Sequence, residues 1–171
     1  MRPRTAVILA AALYPSWLAM MAVHEAGHVL HAWASGGTVS AVRVPLAGFS
    51  ITEFSTNPHP HFVAWGGPVW GSVLPLLAWA MFRTFRCRGL RAAQFFAGFC
   101  LIANGAYLGV GWLTRAGDAG DLVDHGTPVS VPIAFGLVAT SSGLYLWHRL
   151  GAPPVPSPPR ERVRVKGRFE I

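Results

Sequence analysis

The sequence predicts an all-α integral membrane protein with about four transmembrane helices and a short membrane-associated β-hairpin after the first. Hydrophobic residues make up 52% of the 171 residues and charged residues only 12%, whereas a soluble domain averages roughly 25% charged residues. The apolar residues form runs long enough to cross a bilayer. Most arginines stand at the ends of these runs, as membrane topology requires. A lipid bilayer, and not nucleic acid, is therefore the expected partner of this chain of net charge +7.

Four segments are candidates for spanning helices, because each offers roughly the 20 apolar residues that a span needs. They are residues 5–33, 62–82, 90–113 and 128–146. The first is longer than a bilayer requires, and Pro15 offers either a kink or the true start of the span. Its basic start and the small residues near Ala22 are also features of a secretory signal. Because the apolar run continues to Ala34, we expect an uncleaved anchor.

A hairpin is predicted between the first two segments. Apolar residues partly alternate with polar ones on both sides of a Pro-Leu-Ala-Gly turn, which is typical of two short strands. These residues are Val42, Val44, Phe49, Ile51 and Phe54. We expect the hairpin to lie on the membrane or to dip into it.

The last part of the chain differs in composition from the rest. Residues 150–171 are rich in proline and arginine and cannot build a core, so we predict a disordered tail. The membrane-embedded domain is then expected to comprise residues 1–149.

The basic residues also predict the orientation. With the N-terminus in the cytoplasm, twelve of the 14 lysine and arginine residues lie on the cytoplasmic side, and only Arg43 and Arg115 lie outside. The opposite orientation reverses this bias. We therefore predict a multi-pass protein of a bacterial-type cell membrane with both termini in the cytoplasm.

The first segment contains the most informative motif, His24-Glu25-Ala26-Gly27-His28. On a helix, positions i and i+4 share a face, so two imidazoles can bind one Zn²⁺, and the intervening glutamate can act as a general base toward a water activated by the metal. Ionisable residues inside an apolar helix are candidates for function. The alternative is that these side chains only hydrogen-bond to neighbouring helices and support packing.

A third zinc ligand is expected from the acidic segment after the third span, because a catalytic zinc usually has three protein ligands and one open position. Asp118 is the first choice, as the first carboxylate after the span, bracketed by the flexible Gly117 and Gly120. Asp121 is the second choice, although it could instead cap the fourth helix. A site without an aspartate ligand is the remaining alternative.

Three further histidines are weaker candidates. His31 is seven residues from His24, or about 10.5 Å along a helix, which is too far for both to bind one metal. We interpret it as a residue that supports the ligands or as a polar residue at the membrane edge. His59 and His61 follow prolines in a predicted loop, which favours a solvated surface over a ligand role.

Taken together, these features resemble the site-2 protease family of intramembrane zinc metallopeptidases, especially its small, minimal members. The resemblance spans roughly residues 15–148. It rests on the HEAGH motif, the Gly-rich turn and hairpin, the Gly-Gly-Pro at 66–68, and Asn104 followed by the acidic segment. Two features depart from the family. Asp118 is followed by Ala119 where the family often has Asp-Gly, and the charge count places the motif nearer the outer side, whereas the family's site usually faces the cytoplasm.

The resemblance implies an intramembrane zinc metalloendopeptidase, a hydrolase that cleaves a membrane-spanning or membrane-adjacent peptide. Zinc would be bound by His24, His28 and an aspartate, with Glu25 as the general base. Asn104 would hydrogen-bond the substrate backbone or the developing oxyanion. Two alternatives stay open. One is a non-catalytic membrane protein that keeps a structural metal site or binds partner helices, and the other is a small carrier of metal or haem.

Overall fold

The structure, a computed structural model, describes the backbone of residues 3–151 and the side chains of residues 11–150. All but the first two residues of the predicted tail lie outside this range. The described chain contains five helices and two strands, in the order α1 (Pro3–Ala34), β1 (Thr38–Arg43), β2 (Ile51–Thr56), α2 (Pro60–Thr84), α3 (Leu90–Gly111), α4 (Gly117–Asp124) and α5 (Ser130–Gly151). The prediction of a mainly helical chain with one hairpin is confirmed.

Three of the helices, α2, α3 and α5, are long and apolar enough to cross a membrane. They correspond to the second, third and fourth predicted spans. The helix α1 is longer, with 32 residues, but is not one of the three. Its described part includes His24, Glu25, His28 and His31, which lower its hydropathy. A fourth span therefore stays a prediction from the sequence.

Glycine ends α1 and starts the turn into the hairpin. Gly36 has a φ of 78°, a left-handed conformation that is accessible to a residue without a Cβ. The N–H of Gly37 then donates to the carbonyl of Ala32 over 2.7 Å, as in a helix C-terminal motif. The strands β1 and β2 pair antiparallel, with Val39 opposite Phe54 and Arg43 opposite Ile51. This places the hairpin directly after the C-terminal end of α1.

Small residues allow the helices to pack closely. The backbones of Gly27 in α1 and Gly66 in α2 are so close that a Cβ on either would overlap the other. Gly98 and Gly105 of α3 similarly face α5. Close approach through small residues is typical of helices in membranes, where van der Waals contact drives association.

The consecutive helices α1, α2, α3 and α5 run antiparallel to their neighbours. The C-terminal ends of α1 and α3 therefore lie with the N-terminal ends of α2 and α5. The loop between α2 and α3 lies at the opposite end, beside the C-terminal end of α5, as the hydrogen bond from Arg91 to the carbonyl of Leu150 shows. The HEAGH motif belongs to the first of these two ends.

The acidic segment after α3 differs from the predicted loop, because it contains the short helix α4. Its apolar residues Ala119 and Leu122 are fully buried against Ala64 and Leu108. This amphipathic packing stabilises a helix that is too short to be stable alone. Asp121 lies inside α4, whereas α5 begins only at Ser130, so the suggestion that Asp121 caps the following long helix is wrong.

Candidate metal centre

His24 and His28 lie one turn apart on α1 and point toward the same space. Their Nε2 atoms are 3.2 Å apart, and both residues are buried. Helical geometry places i and i+4 side chains on one face, and the close contact of α1 with α2 removes that face from solvent. Two nitrogen donors thus meet inside the protein.

Asp118 brings a carboxylate to the same space. Its Oδ2 is 2.9 Å from Nε2 of His24, and its Oδ1 is 3.2 Å from Nε2 of His28. One ligand atom from each of the three residues lies within 4.8 Å of the others. This is a buried group that could hold a metal ion.

The short helix α4 positions Asp118. The N–H of Asp118 donates to the hydroxyl of Tyr107 over 3.1 Å, which ties the start of α4 to α3. Burial acts to raise the pKa of the Asp118 carboxyl, but the contacts with His24 and His28 outweigh it and lower the pKa to about 2. The side chain is therefore ionised at neutral pH, which is the form that binds cations.

Asn104 orients the ring of His24. The amide Nδ2 of Asn104 donates to the carbonyl of Cys100 over 2.9 Å, which directs Oδ1 toward His24. This oxygen is 2.7 Å from Nδ1 of His24. Because a carbonyl oxygen only accepts, Nδ1 carries the proton, and Nε2 of the neutral ring presents its lone pair to the centre.

His28 is oriented in the same way by the backbone of α2. Its Nδ1 lies 2.8 Å from the carbonyl oxygen of Val63 and must donate to it. In the neutral state both Nε2 lone pairs therefore face one another and the carboxylate of Asp118. Such an arrangement is repulsive unless a proton or a metal cation lies between the donors. Two imidazoles and one carboxylate suit Zn²⁺ and other borderline transition metals.

The backbone of α2 leaves room for this group. A Cβ at Gly67 would overlap the Nε2 atoms of both His24 and His28, and a Cβ at Gly71 would overlap the amide of Asn104. Gly67 of the Gly-Gly-Pro sequence and Gly71 one turn later thus allow α2 to pass beside the three polar side chains at contact distance. The three donors, their orienting partners and this space fit a metal ion.

Glu25 is buried beside the group without being one of its three donors. The hydroxyl of Thr52, on β2, donates to Oε2 of Glu25 over 2.5 Å. The hairpin therefore contacts the carboxylate directly. The site thus contains three potential ligands and, beside them, the Glu25 carboxylate, which could exchange protons.

Two cavities meet at Glu25 and His24. The larger, of about 470 Å³, extends between the hairpin, α2 and α4 and contains the three donors. The smaller, of about 210 Å³, extends between α1 and α3, and its apolar walls include Trp17, Met20, Met21 and Ala103. Phe49 and Ser50, just before β2, line both cavities. A ligand could therefore reach the centre from either side of the hairpin.

The remaining candidates from the sequence lie outside the three-donor group. The Nδ1 atom of His31 is 2.7 Å from the carbonyl oxygen of Phe62, and its ring stacks on that of Phe62. His59 precedes the first turn of α2, and Nε2 of His61 is 2.7 Å from the hydroxyl of Thr127. Asp121 lines the larger cavity but is not one of the grouped donors.

Four contributors to the site were not predicted from the sequence. They are Thr52, Tyr107, the Val63 carbonyl and Asn57, whose buried Oδ1 has no hydrogen-bond partner among the described residues and which lines the larger cavity. Each belongs to a common residue type in an unremarkable context. Only their proximity to the HEAGH motif in the folded protein reveals them.

Comparison of the chain with protein-family models, with curated proteins and with solved structures found no match.

Proposed function

We propose that this protein is an intramembrane zinc metalloendopeptidase that cleaves a membrane-spanning or membrane-adjacent peptide. One observation carries the proposal. His24, His28 and Asp118 place three donor atoms within 4.8 Å of one another, and the non-ligand Glu25 is buried beside them. Three ligands and a neighbouring carboxylate are the parts that a hydrolytic zinc site needs.

The proposed ligands are His24, His28 and Asp118. Bound zinc would supply Lewis-acid polarisation of a carbonyl and would lower the pKa of a coordinated water. The protein's contribution is orientation. Asn104 and Val63 hold the imidazoles in the tautomer that binds a metal through Nε2, and the packing of α4 holds the carboxylate against them.

Glu25 is the proposed general base. The Thr52 hydroxyl binds Oε2, which fixes the carboxylate rotamer and leaves Oε1 to accept a proton during attack on the peptide carbonyl. The same carboxyl group would return this proton to the leaving amine. Helix α1 thus supplies the two histidine ligands and the general base from adjacent positions, and the hairpin orients the base.

The two cavities support a peptide as substrate. The larger, of about 470 Å³, contains the three donors, and Asn57, whose Oδ1 has no hydrogen-bond partner among the described residues, lines it. The smaller, with its two methionines and a tryptophan, suits a bulky apolar side chain, since methionine adapts to varied shapes. Apolar residues of the hairpin remain exposed, with Phe49 at 86% and Leu46 at 74%, as a membrane-associated hairpin requires.

The membrane setting of the proposal rests on α2, α3 and α5, with α1 as a fourth span. In the predicted orientation both termini lie in the cytoplasm, and the metal centre lies toward the outer ends of the helices.

The test combines metal analysis with proteolysis. The detergent-purified protein and its Glu25→Gln variant are analysed for zinc by mass spectrometry and incubated with a panel of single-span transmembrane peptides. Both proteins should contain about one zinc, and only the wild type should cleave. Glu53→Gln is a matched control, because Glu53 is a partly exposed glutamate on β2 that pairs with Arg43, and it should cleave normally.

Two results would contradict the proposal. Cleavage by Glu25→Gln at the wild-type rate would exclude Glu25 as the general base. A wild type that binds zinc but cleaves no peptide of the panel would instead support a structural metal site. That outcome is the principal alternative, because the donor group also ties α1 to α4.

A further inference from the structure

A third cavity lies at the opposite end of the helices from the metal centre. It has a volume of about 280 Å³ and is lined by residues of the C-terminal end of α2, the start of α3 and the C-terminal end of α5. Two arginines contribute to it, Arg83 from α2 and Arg149 from α5. The proposed peptidase does not use this cavity.

The charge around the cavity is entirely positive among the described residues. The helices α2, α3 and α5 and the loop at 85–89 contain no aspartate or glutamate. Neither Arg83 nor Arg149 has a carboxylate partner within residues 11–150, in contrast to Arg43 and Arg115, which pair with Glu53 and Asp124. The two guanidinium groups therefore lack an anion that the described residues could supply.

The cavity walls are fixed by hydrogen bonds between α3 and α5. Gln94 Nε2 donates to the carbonyl of Leu146, and Arg91 donates to that of Leu150, each over 2.9 Å. Arg83 is held on the α2 side, with its Cζ 5.6 Å from the centre of the Trp79 ring. These contacts orient the site before any ligand arrives, which reduces the entropic cost of binding.

The remaining polar groups of the cavity are also suited to an acceptor ligand. The indole Nε1 of Trp79 is buried and has no hydrogen-bond partner among the described residues. Tyr145 lines the cavity with a hydroxyl that can donate. Two guanidinium forks, an indole N–H and a phenol together favour a phosphate, whose oxygens accept several hydrogen bonds at once.

The position of the cavity favours a membrane lipid as the source of such a phosphate. It lies at the ends of three helices that are long and apolar enough to cross a membrane. In a bilayer that these helices span, their ends would lie at the depth of the lipid headgroups. Leu90 and Leu146 line it beside the arginines and provide apolar surface for the start of an acyl chain. Basic pockets between transmembrane helices commonly bind anionic lipid headgroups.

We propose that this cavity binds the phosphate of an anionic membrane lipid, with Arg83 and Arg149 as the charged contacts and Trp79 as a hydrogen-bond donor. The proposal is independent of peptidase activity. It assigns the arginine-rich end of the helices a specific ligand in addition to the general attraction of basic residues to an anionic membrane surface.

The test is native mass spectrometry of the full chain in detergent, titrated with phosphatidylglycerol, with phosphatidylcholine and with inorganic phosphate. Phosphatidylglycerol should bind more tightly than either of the others. The double variant Arg83→Gln/Arg149→Gln should weaken its binding by about tenfold or more, since each basic residue near anionic lipid contributes appreciably. The matched control Arg43→Gln/Arg115→Gln removes the same charge at the other end and should bind like the wild type.

Several outcomes would overturn the proposal. They are equal losses in the two double variants, equal binding of phosphatidylcholine, and inorganic phosphate that binds as tightly as the lipid, which would indicate a site for a free anion. If the arginine double variant does not fold, Trp79→Phe decides. It keeps an aromatic ring but removes the N–H together with part of the indole ring, and it should lower the affinity for phosphatidylglycerol several-fold, whereas an unchanged affinity would contradict the assignment.

Discussion

The hydroxyl of Thr52 donates a hydrogen bond of 2.5 Å to the carboxylate of Glu25, which lies 27 residues earlier in the chain. Both residues are buried. This contact connects the hairpin to the one acidic residue of the HEAGH motif. It gives the hairpin a role in orienting a candidate general base, in addition to forming a wall of the cavities.

Replacement of Thr52 by valine, which has the same shape, should reduce kcat for peptide cleavage by about tenfold to a hundredfold, since a hydrogen bond to a charged buried group contributes about 1.5–3 kcal/mol. The zinc content should not change, because Thr52 contacts no ligand. Steady-state kinetics and metal analysis measure the two effects. Ser55→Ala, at an exposed position on the same strand, is the control, and an equal kcat in Thr52→Val and wild type would exclude the orienting role.

Replacement of Asn104 by alanine should lower zinc affinity by about tenfold to a hundredfold, because loss of a partner that orients a metal-binding histidine typically has this effect. The cause is the loss of the acceptor that holds His24 in its metal-binding tautomer. Competition with a chelating dye gives the affinity. Gln94→Ala removes another amide of α3, far from the metal centre, and should leave zinc binding intact. Wild-type zinc affinity in Asn104→Ala would exclude this orienting role of Asn104.

Replacement of Gly67 by alanine should abolish or strongly weaken zinc binding, although alanine favours a helix over glycine by about 1 kcal/mol. The added Cβ would occupy the space of both imidazole Nε2 atoms. Isothermal titration with zinc measures the loss, and circular dichroism checks that the helices remain. Ala78→Val, on an exposed face of α2, should bind zinc normally. A Gly67→Ala protein with native affinity would show that the donors do not use this space.

Two aspartates of α4 can be separated by alanine replacement. Asp118→Ala should lower zinc affinity by at least about tenfold, because Asp118 supplies the only carboxylate in the described three-donor group. Asp121→Ala should retain the affinity, since Asp121 lies outside that group. Equilibrium dialysis against ⁶⁵Zn compares the two variants under identical conditions. The reverse ranking would transfer the ligand role to Asp121.

The native Cys87 can report the orientation in the membrane. It is exposed in the loop between α2 and α3, whereas Cys100 is buried. If the arginine-rich end faces the cytoplasm, a membrane-impermeant maleimide should label Cys87 only after cells are permeabilised. In a Cys87→Ser/Ser55→Cys protein, the same reagent should label intact cells, because Ser55 is exposed at the other end. Labelling of Cys87 in intact cells would reverse the proposed orientation.

The sequence by itself determined the features that depend on neighbours along the chain. Apolar runs located α2, α3 and α5, since a span is defined by length and composition. The alternation around the Pro-Leu-Ala-Gly turn located the hairpin. Helical periodicity placed His24 and His28 on one face and separated His31 from them, because the rise per residue fixes these distances before any tertiary contact forms.

The sequence offered Asp118 and Asp121 as alternatives and Asn104 by resemblance, and only the tertiary structure decided which of these distant groups meet His24 and His28. Asp118 meets His24 across 94 residues of sequence and Asn104 meets it across 80, and both contacts depend on helix packing that no local pattern encodes. Whether Gly67 faces an imidazole or a lipid depends on the rotation of α2, which its close contact with α1 sets. Local periodicity fixes the direction of a side chain relative to its own helix, but the partners it meets are fixed by the packing of the helices against one another.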